Sequence, residues 1–161
     1  MKKIVIVLLV TIILAGCSTK ENPSQTLCEL KDDGPISYTY IIDANGNDVT
    51  RMENVLRMKG SNEGSDEGFD FVANEFQKAF DASKQTWAER AGKKDIPGLE
   101  FKVDKSDSMI ALIQIQTMKD IDFELMNRIK FYEGYDRVVK GLFFDEEVNA
   151  LQENGYTRTK K

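Results

Sequence analysis

The chain has no histidine, two cysteines, three prolines and one tryptophan in 161 residues. Without histidine it lacks the commonest general base near neutral pH and the commonest zinc and copper ligand. Two cysteines permit one intrachain disulfide at most. The apolar run Ile4 to Leu14, broken by Thr11, falls short of the about 20 residues that cross a bilayer as a helix. Positive charge is also in deficit: 22 lysines and arginines stand against 27 acids, for a net charge of −5. Such a chain is a poor nucleic-acid binder, because that affinity comes from cations on phosphates. The same charge repels it from anionic headgroups. No Ser-x-x-Lys or Gly-x-Ser-x-Gly spacing occurs, and no glycine loop cradles phosphate. The residues therefore point to no catalytic group, no cofactor and no metal.

What is present begins at the first turn of the chain. Lys2 and Lys3 precede the Ile4–Leu14 run, which ends in Leu14-Ala15-Gly16-Cys17. A charged start, a short apolar stretch and a small-residue cut site make an export signal, not an anchor helix. The cysteine makes it a lipobox. Cleavage is expected between Gly16 and Cys17, with lipid on the Cys17 thiol. Membrane attachment at Cys17 must come from that lipid. One acyl chain holds marginally and two anchor stably. The expected location is the cell membrane, on its extracytoplasmic side.

Three segments follow from this reading. Residues 1–16 are the signal peptide. Residues 17–26 are the lipidated cysteine and a flexible polar tether, Ser18 to Thr26, containing Pro23. Residues 27–161 form a single domain, of ordinary size for one core. With Cys17 spent on lipid, Cys28 has no intrachain partner. It is a small apolar strand residue or, alternatively, a reactive or intermolecular thiol.

The domain opens with strands. Leu27–Lys31 is a short one, and Ile36–Asp43 is rich in Tyr, Thr and Ile, which favour a pleated surface. Asn45-Gly46 signals a type I′ hairpin turn. The return strand runs from about Asp48 to Met58, with Thr50, Met52, Leu56 and Met58 on one face and Arg51, Glu53 and Arg57 on the other. A long helix is predicted from Ser65 to Ala91, with Phe69, Val72, Phe76, Ala79, Phe80 and Trp87 inward and Gly92 as its stop. Leu99–Asp104 alternates. Met109–Thr117 is apolar on both faces, which suits a central strand. Phe123, Met126 and Ile129 have helical spacing, interrupted by Gly134 and Gly141. Asp145 is expected to cap a last helix, with Val148 and Leu151 inward, Gly155 at its end and Tyr156 closing it. The fold class is α+β: an antiparallel sheet of about five strands in two hairpin units, with a long amphipathic helix and a C-terminal helix on one face.

Few constellations carry chemistry. Asp43-Ala44-Asn45-Gly46-Asn47-Asp48 imitates a calcium loop, but its glycine is at position four instead of six and position twelve is Asn54. Glu63, Asp66, Glu67 and Asp70 offer carboxylates to calcium or magnesium, but the stronger reading is that a helix start gathers carboxylates without any metal. Phe131, Tyr132, Tyr135, Phe143 and Phe144 form the candidate interaction patch, in a segment without regular periodicity.

In order, a lipobox cysteine, a polar tether, a strand pair at Asn45-Gly46, a helix at Asp66–Arg90 and the hairpin Leu99–Thr117 are followed by Asp145-Glu146-Glu147-Val148 and Asn154-Gly155-Tyr156. This arrangement resembles the YehR-like family of small bacterial lipoproteins. The resemblance implies an α+β domain at the cell envelope and carries over no catalytic residues. The stretch Lys130 to Phe144 looks longer than that family's usual connection.

The expected function is a lipid-anchored, non-enzymatic binding or interaction domain with an unknown protein or small-molecule ligand. Alternatives are an envelope hydrolase using paired carboxylates and a purely structural lipoprotein. The anchoring expectation has a direct check. Cys17→Ser should leave the chain uncleaved and unlabelled in a radiolabelled-palmitate assay, whereas Cys28→Ser should change neither. Labelling that survives Cys17→Ser refutes the assignment.

Overall fold

Alternation along the strands decides which side of the sheet is covered. The structure is a computed structural model that describes residues 23–30, 34–60, 66–106, 108–132 and 141–160. Gly16, Cys17 and Tyr135, all given roles above, lie outside the described residues. Six strands form one antiparallel sheet in the order β4-β5-β3-β2-β1-β6. They are β1 (Pro23–Leu30), β2 (Ile36–Asn45), β3 (Asp48–Lys59), β4 (Leu99–Ser106), β5 (Met109–Thr117) and β6 (Thr157–Lys160). The helices are α1 (Asp66–Ala91), α2 (Phe123–Arg128) and α3 (Phe144–Glu153). The α+β class is as expected, with one strand more. The additional strand, β6, is four residues of Thr-Arg-Thr-Lys. It has no apolar alternation to betray it and exists by pairing Thr157–Lys160 with Thr26–Glu29 of β1. Among the described residues no helix is long and apolar enough to cross a membrane.

β1 starts at Pro23, inside the segment expected as tether. Flanked by β2 and β6, it buries Thr26 to 1% exposure and Cys28 completely. The polar composition of Pro23–Thr26 concealed a strand that pairs with β2 along its length and with β6 from Thr26 onward.

The β2–β3 hairpin departs from expectation in two details. Asn45 pairs with Asp48, so the two-residue loop is Gly46-Asn47. Gly46 has φ +61° and Asn47 is not in the positive-φ region. Glycine alone at the first central position is the type II′ pattern, not type I′. The register then shifts beside Asp43/Ala44, placing Ala44 opposite Val49 and Asp43 opposite Arg51. Thr50 is the extra residue of this bulge. It is exposed, and Val49 takes the inward place at 5% exposure. Simple period-two counting put Thr50 inward because the bulge resets the phase.

The core fills the covered side. Ile42, Ala44, Val49, Met52 and Leu99 of the sheet meet Ile121, Leu125, Met126, Ile129, Phe144 and Val148. The opposite side carries Arg51, Glu53 and Arg57, as the alternation predicts. It has no helix over it among the described elements. Val55 at its centre is nevertheless 1% exposed. Arg57 Nη1 donates to Thr39 Oγ1 at 2.9 Å, Arg51 pairs with Asp43 and Glu53, and Lys102 pairs with Glu100. Long charged side chains shield apolar residues with their stems in this way.

α1 touches this structure lightly. Among its residues 68–91, whose burial is described, only Ala88 is buried. Val72 is 40% exposed and Ala79 is also exposed, against expectation. The half-buried positions are Phe69, Ala73, Phe76, Gln77, Phe80, Lys84, Trp87 and Ala91, so Val72 and Ala79 are left out of the seam. α1 closes with Gly92 N–H on Glu89 O and Lys93 N–H on Ala88 O, both 2.9 Å. α3 ends the same way, with Gly155 at φ +88° and Tyr156 N–H on Leu151 O at 3.0 Å. Both are Schellman ends, and the one on α3 is as predicted.

The start of α3 is not as predicted. Asp145 is a first-turn residue and does not cap. Phe143 holds the N-cap position without a side-chain bond. Asn47, in the hairpin loop, supplies what is missing: its carbonyl accepts from Phe144 N–H at 2.8 Å and its side-chain oxygen from Asp145 N–H at 2.9 Å. Val49 N–H donates to Leu142 O at 3.1 Å beside it. Asn47→Ala should therefore cost about 1 kcal/mol, the usual worth of an N-cap. Urea unfolding is the measurement, with Asn45→Ala, outside the contact, as the near-neutral control.

Candidate functional site

The covered face is not apolar throughout. Row by row across the sheet, Phe101 of β4 lies opposite Gln114 of β5, Gln114 opposite Asn54 of β3, and Asn54 opposite Tyr40 of β2. Neighbouring strands lie about 4.8 Å apart, so these groups form a ladder at that spacing. Gln116 stands in the adjacent row between Leu99 and Met52. The side of β5 with Ala111, Ile113 and Ile115 faces away from the helices, and the side with Gln114 and Gln116 faces them. The helix-covered face is set by Leu99, Phe101 and Met52, to which Gln114 and Gln116 are bound by register.

Over this ladder lies a cleft of about 340 Å³, at the small end of small-molecule sites, which run to ~1,000 Å³. The sheet supplies Tyr40, Met52, Asn54, Phe101, Gln114 and Gln116. α1 contributes Phe80, Ser83 and Trp87, which share one helix face at spacings of three and four. Phe131 and Tyr132, just past α2, and Glu147 of α3 complete the wall with Leu142. α2 is placed by its own cap, Asp122, whose carboxylate accepts from Leu125 N–H at 2.9 Å.

The wall is an aromatic mosaic. Trp87 and Phe131 meet edge to face at 5.3 Å, and Phe131 and Tyr132 at 5.0 Å. Phe80 and Phe101 are 5.2 Å apart across the α1–β4 contact. Tyr40 meets Tyr156 edge to face at 5.4 Å. These geometries let ring edges meet ring faces. Arg90 lies outside the cleft with its guanidinium 4.7 Å from the Trp87 ring.

The polar groups are unevenly committed. Tyr132 Oη donates to Gln116 Oε1 at 2.7 Å, and Asn54 Nδ2 donates to Tyr40 Oη at 3.2 Å. Ser83 Oγ is used within α1, donating to Ala79 O at 2.9 Å. Gln114 makes no side-chain hydrogen bond to the described residues. Glu147 is the one acid of the described lining, which contains no lysine or arginine.

The candidate interaction patch is divided by the structure. Phe131 and Tyr132 line the cleft. Phe144 is buried to 8% exposure, with the Arg158 guanidinium 5.0 Å from its ring. Phe143 is 41% exposed at a bridge to Asp48. The residues missed in the sequence are Tyr40, Asn54, Gln114, Gln116 and Phe101, together with Trp87, which reads there as simple packing. A signal existed. Asn54 sits between Met52 and Leu56, and Gln114 follows Leu112, on faces otherwise apolar.

Other features resolve without chemistry. Asp43 pairs with Arg51 at 3.6 Å and accepts from Gln25 Nε2 at 2.8 Å, as a hairpin residue does. Asp70 pairs with Lys105, while Glu63 and the side chains of Asp66 and Glu67 lie outside what is described. Among the described residues no three His, Cys, Asp or Glu side chains are grouped to hold a metal.

Neither a protein-family model nor a curated protein matches the sequence. Two solved structures share the fold. One is the NMR structure of a Streptococcus pneumoniae TIGR4 protein, with TM-score 0.54 and 14% identity over 99% of this chain and 98% of that one. The other is the NMR structure of Escherichia coli YehR, with TM-score 0.51 and 17% identity over 88% and 92%. At these identities the likeness is one of fold. It supports the resemblance at the level of fold and extends along most of the chain.

Cys28 lies one position beyond Tyr40 in the same row, opposite Arg158. Burial raises its thiol pKa, and the Arg158 guanidinium partly offsets this. An unfolded cysteine ionises near pH ~8.5. Because the folded value is higher, its contribution to stability is full below that pH and declines as pH rises toward the folded value. The urea midpoint should therefore fall across the alkaline range, and Cys28→Ala should flatten the fall. A thiol reagent at neutral pH should label Cys28 only after unfolding.

Proposed function

We propose that this chain is a lipid-anchored lipoprotein of the bacterial cell envelope whose domain binds a ligand, without catalysis, in the cleft between the sheet and its helices. The observation that carries the reading is Gln114: an amide with no side-chain hydrogen bond to the described residues, facing a formed cleft amid aromatic side chains. Sites for small ligands combine such walls with a few placed polar groups. The lipobox at Leu14–Cys17 supports the location. A hydrolase working through paired carboxylates needs a second acid facing Glu147, and the described lining supplies Glu147 alone. A purely structural lipoprotein has no use for a polar ladder beneath its helices.

Photo-crosslinking tests the binding. A benzophenone amino acid replacing Ser83, in the cleft, should trap an adduct in intact cells. The same group replacing Glu29, on the opposite face of the sheet, should not. Equal yields at the two positions, or none at Ser83, would remove the support for a binding cleft.

A further inference from the structure

We infer that the ligand of this cleft is a neutral saccharide of one or two rings, an inference that rests on the binding role proposed above. The chemistry of the lining selects the class. Its open polar groups are amides: Gln114, the remaining donor and acceptor capacity of Asn54, and the NH₂ of Gln116 left after Tyr132 occupies its oxygen. An amide both donates and accepts, as a hydroxyl does, so a ladder of amides pairs with a row of hydroxyls whatever way each O–H turns. The aromatic side chains Tyr40, Phe80, Phe101 and Phe131 supply the second requirement. A pyranose presents a C–H face that packs on the negative face of an aromatic ring.

Other classes fit less well. An acyl chain would bury Gln114 and its neighbours without partners, which costs free energy for each amide. An anion would find no lysine or arginine in the described lining and would meet Glu147. A cation would be drawn to Glu147 and to the rings, but Glu147 already engages another group of the chain. The cleft volume, about 340 Å³, limits the ligand to a small one.

Trp87 is the chain's one tryptophan and lines the cleft, so its fluorescence reports occupancy without a label. The full-length lipoprotein in phosphatidylethanolamine–phosphatidylglycerol vesicles is titrated with chitobiose, maltose, digalacturonate, tetraethylammonium and decanoate. Chitobiose or maltose should give a saturable change in Trp87 emission. Digalacturonate should bind at least tenfold more weakly than the better of the two. Gln114→Leu should weaken the neutral sugar about tenfold, the worth of one good hydrogen bond. Gln114→Glu, which keeps the size and much of the polarity, is the second variant should the leucine form fail to fold, and it should also weaken binding. A response to tetraethylammonium or decanoate but to no sugar overturns the saccharide class. Adduct formation at Ser83 with no sugar response does the same and leaves the binding role standing. Silence in both experiments overturns both.

Discussion

Amide and hydroxyl groups beneath a layer of helices have to be paired, reached by water or left open to a ligand. That constraint shapes the covered side of this sheet. Tyr40, Asn54 and Gln114 interrupt the apolar surface and stay partly exposed, whereas the layer above closes on Ile42, Met52 and, through Tyr132, Gln116. Among the residues of α1 whose burial is described, Ala88 alone is buried. The helix rests its aromatic side chains on β4 and on Phe131 rather than driving them into the sheet. The cleft follows from the sheet's sequence as much as from the helix path. Replacing the amides by leucines would favour a closed interface.

The far side of the cleft is held by a different device. α3 has no cap of its own and borrows Asn47 from a loop 98 residues away in sequence. The same loop residue accepts from Phe144 N–H, and Val49 bonds Leu142. The hairpin end and the helix start are therefore one unit, and Leu142 and Glu147 reach the cleft from it. The type II′ turn matters here because it places Asn47 second in the loop, where its carbonyl and side chain both point at α3.

Features governed by neighbours along the chain were legible in the sequence. The β2–β3 and β4–β5 hairpins, the extent of α1 and the ends of α1 and α3 follow from strand alternation, helical spacing and glycine. Features made by distant contacts were not. Thr50 looks inward until β2 forces the bulge. Val72 and Ala79 look inward until only a narrow seam of α1 finds a surface. Asp145 looks like a cap until Asn47 takes the role. β6 has no pattern at all and exists through β1. The cleft was half legible. Its polar ladder stands in the sequence as amides at apolar positions. That Trp87, Phe131 and Glu147 converge on the ladder depends on how three helices cross one sheet, which no local spacing encodes.

Anchoring, if it follows the lipobox, constrains the domain more than a free tether would. β1 begins at Pro23, so six peptide steps separate Cys17 from the sheet, at most about 20 Å when extended. Pro23 pairs with Asn45, beside the Gly46-Asn47 turn and the Asp48–Phe143 bridge. The leash would therefore leave the domain from the edge that carries the hairpin loop, the start of α3 and the exposed ring of Phe143. An aromatic ring at that edge suits the bilayer interface, where one side is apolar and the other wet. The acidic charge of the chain opposes a closer approach to anionic lipid. Given that anchor, the short leash, exposed ring and negative charge together would favour a domain that stands on one end at the membrane instead of lying along it.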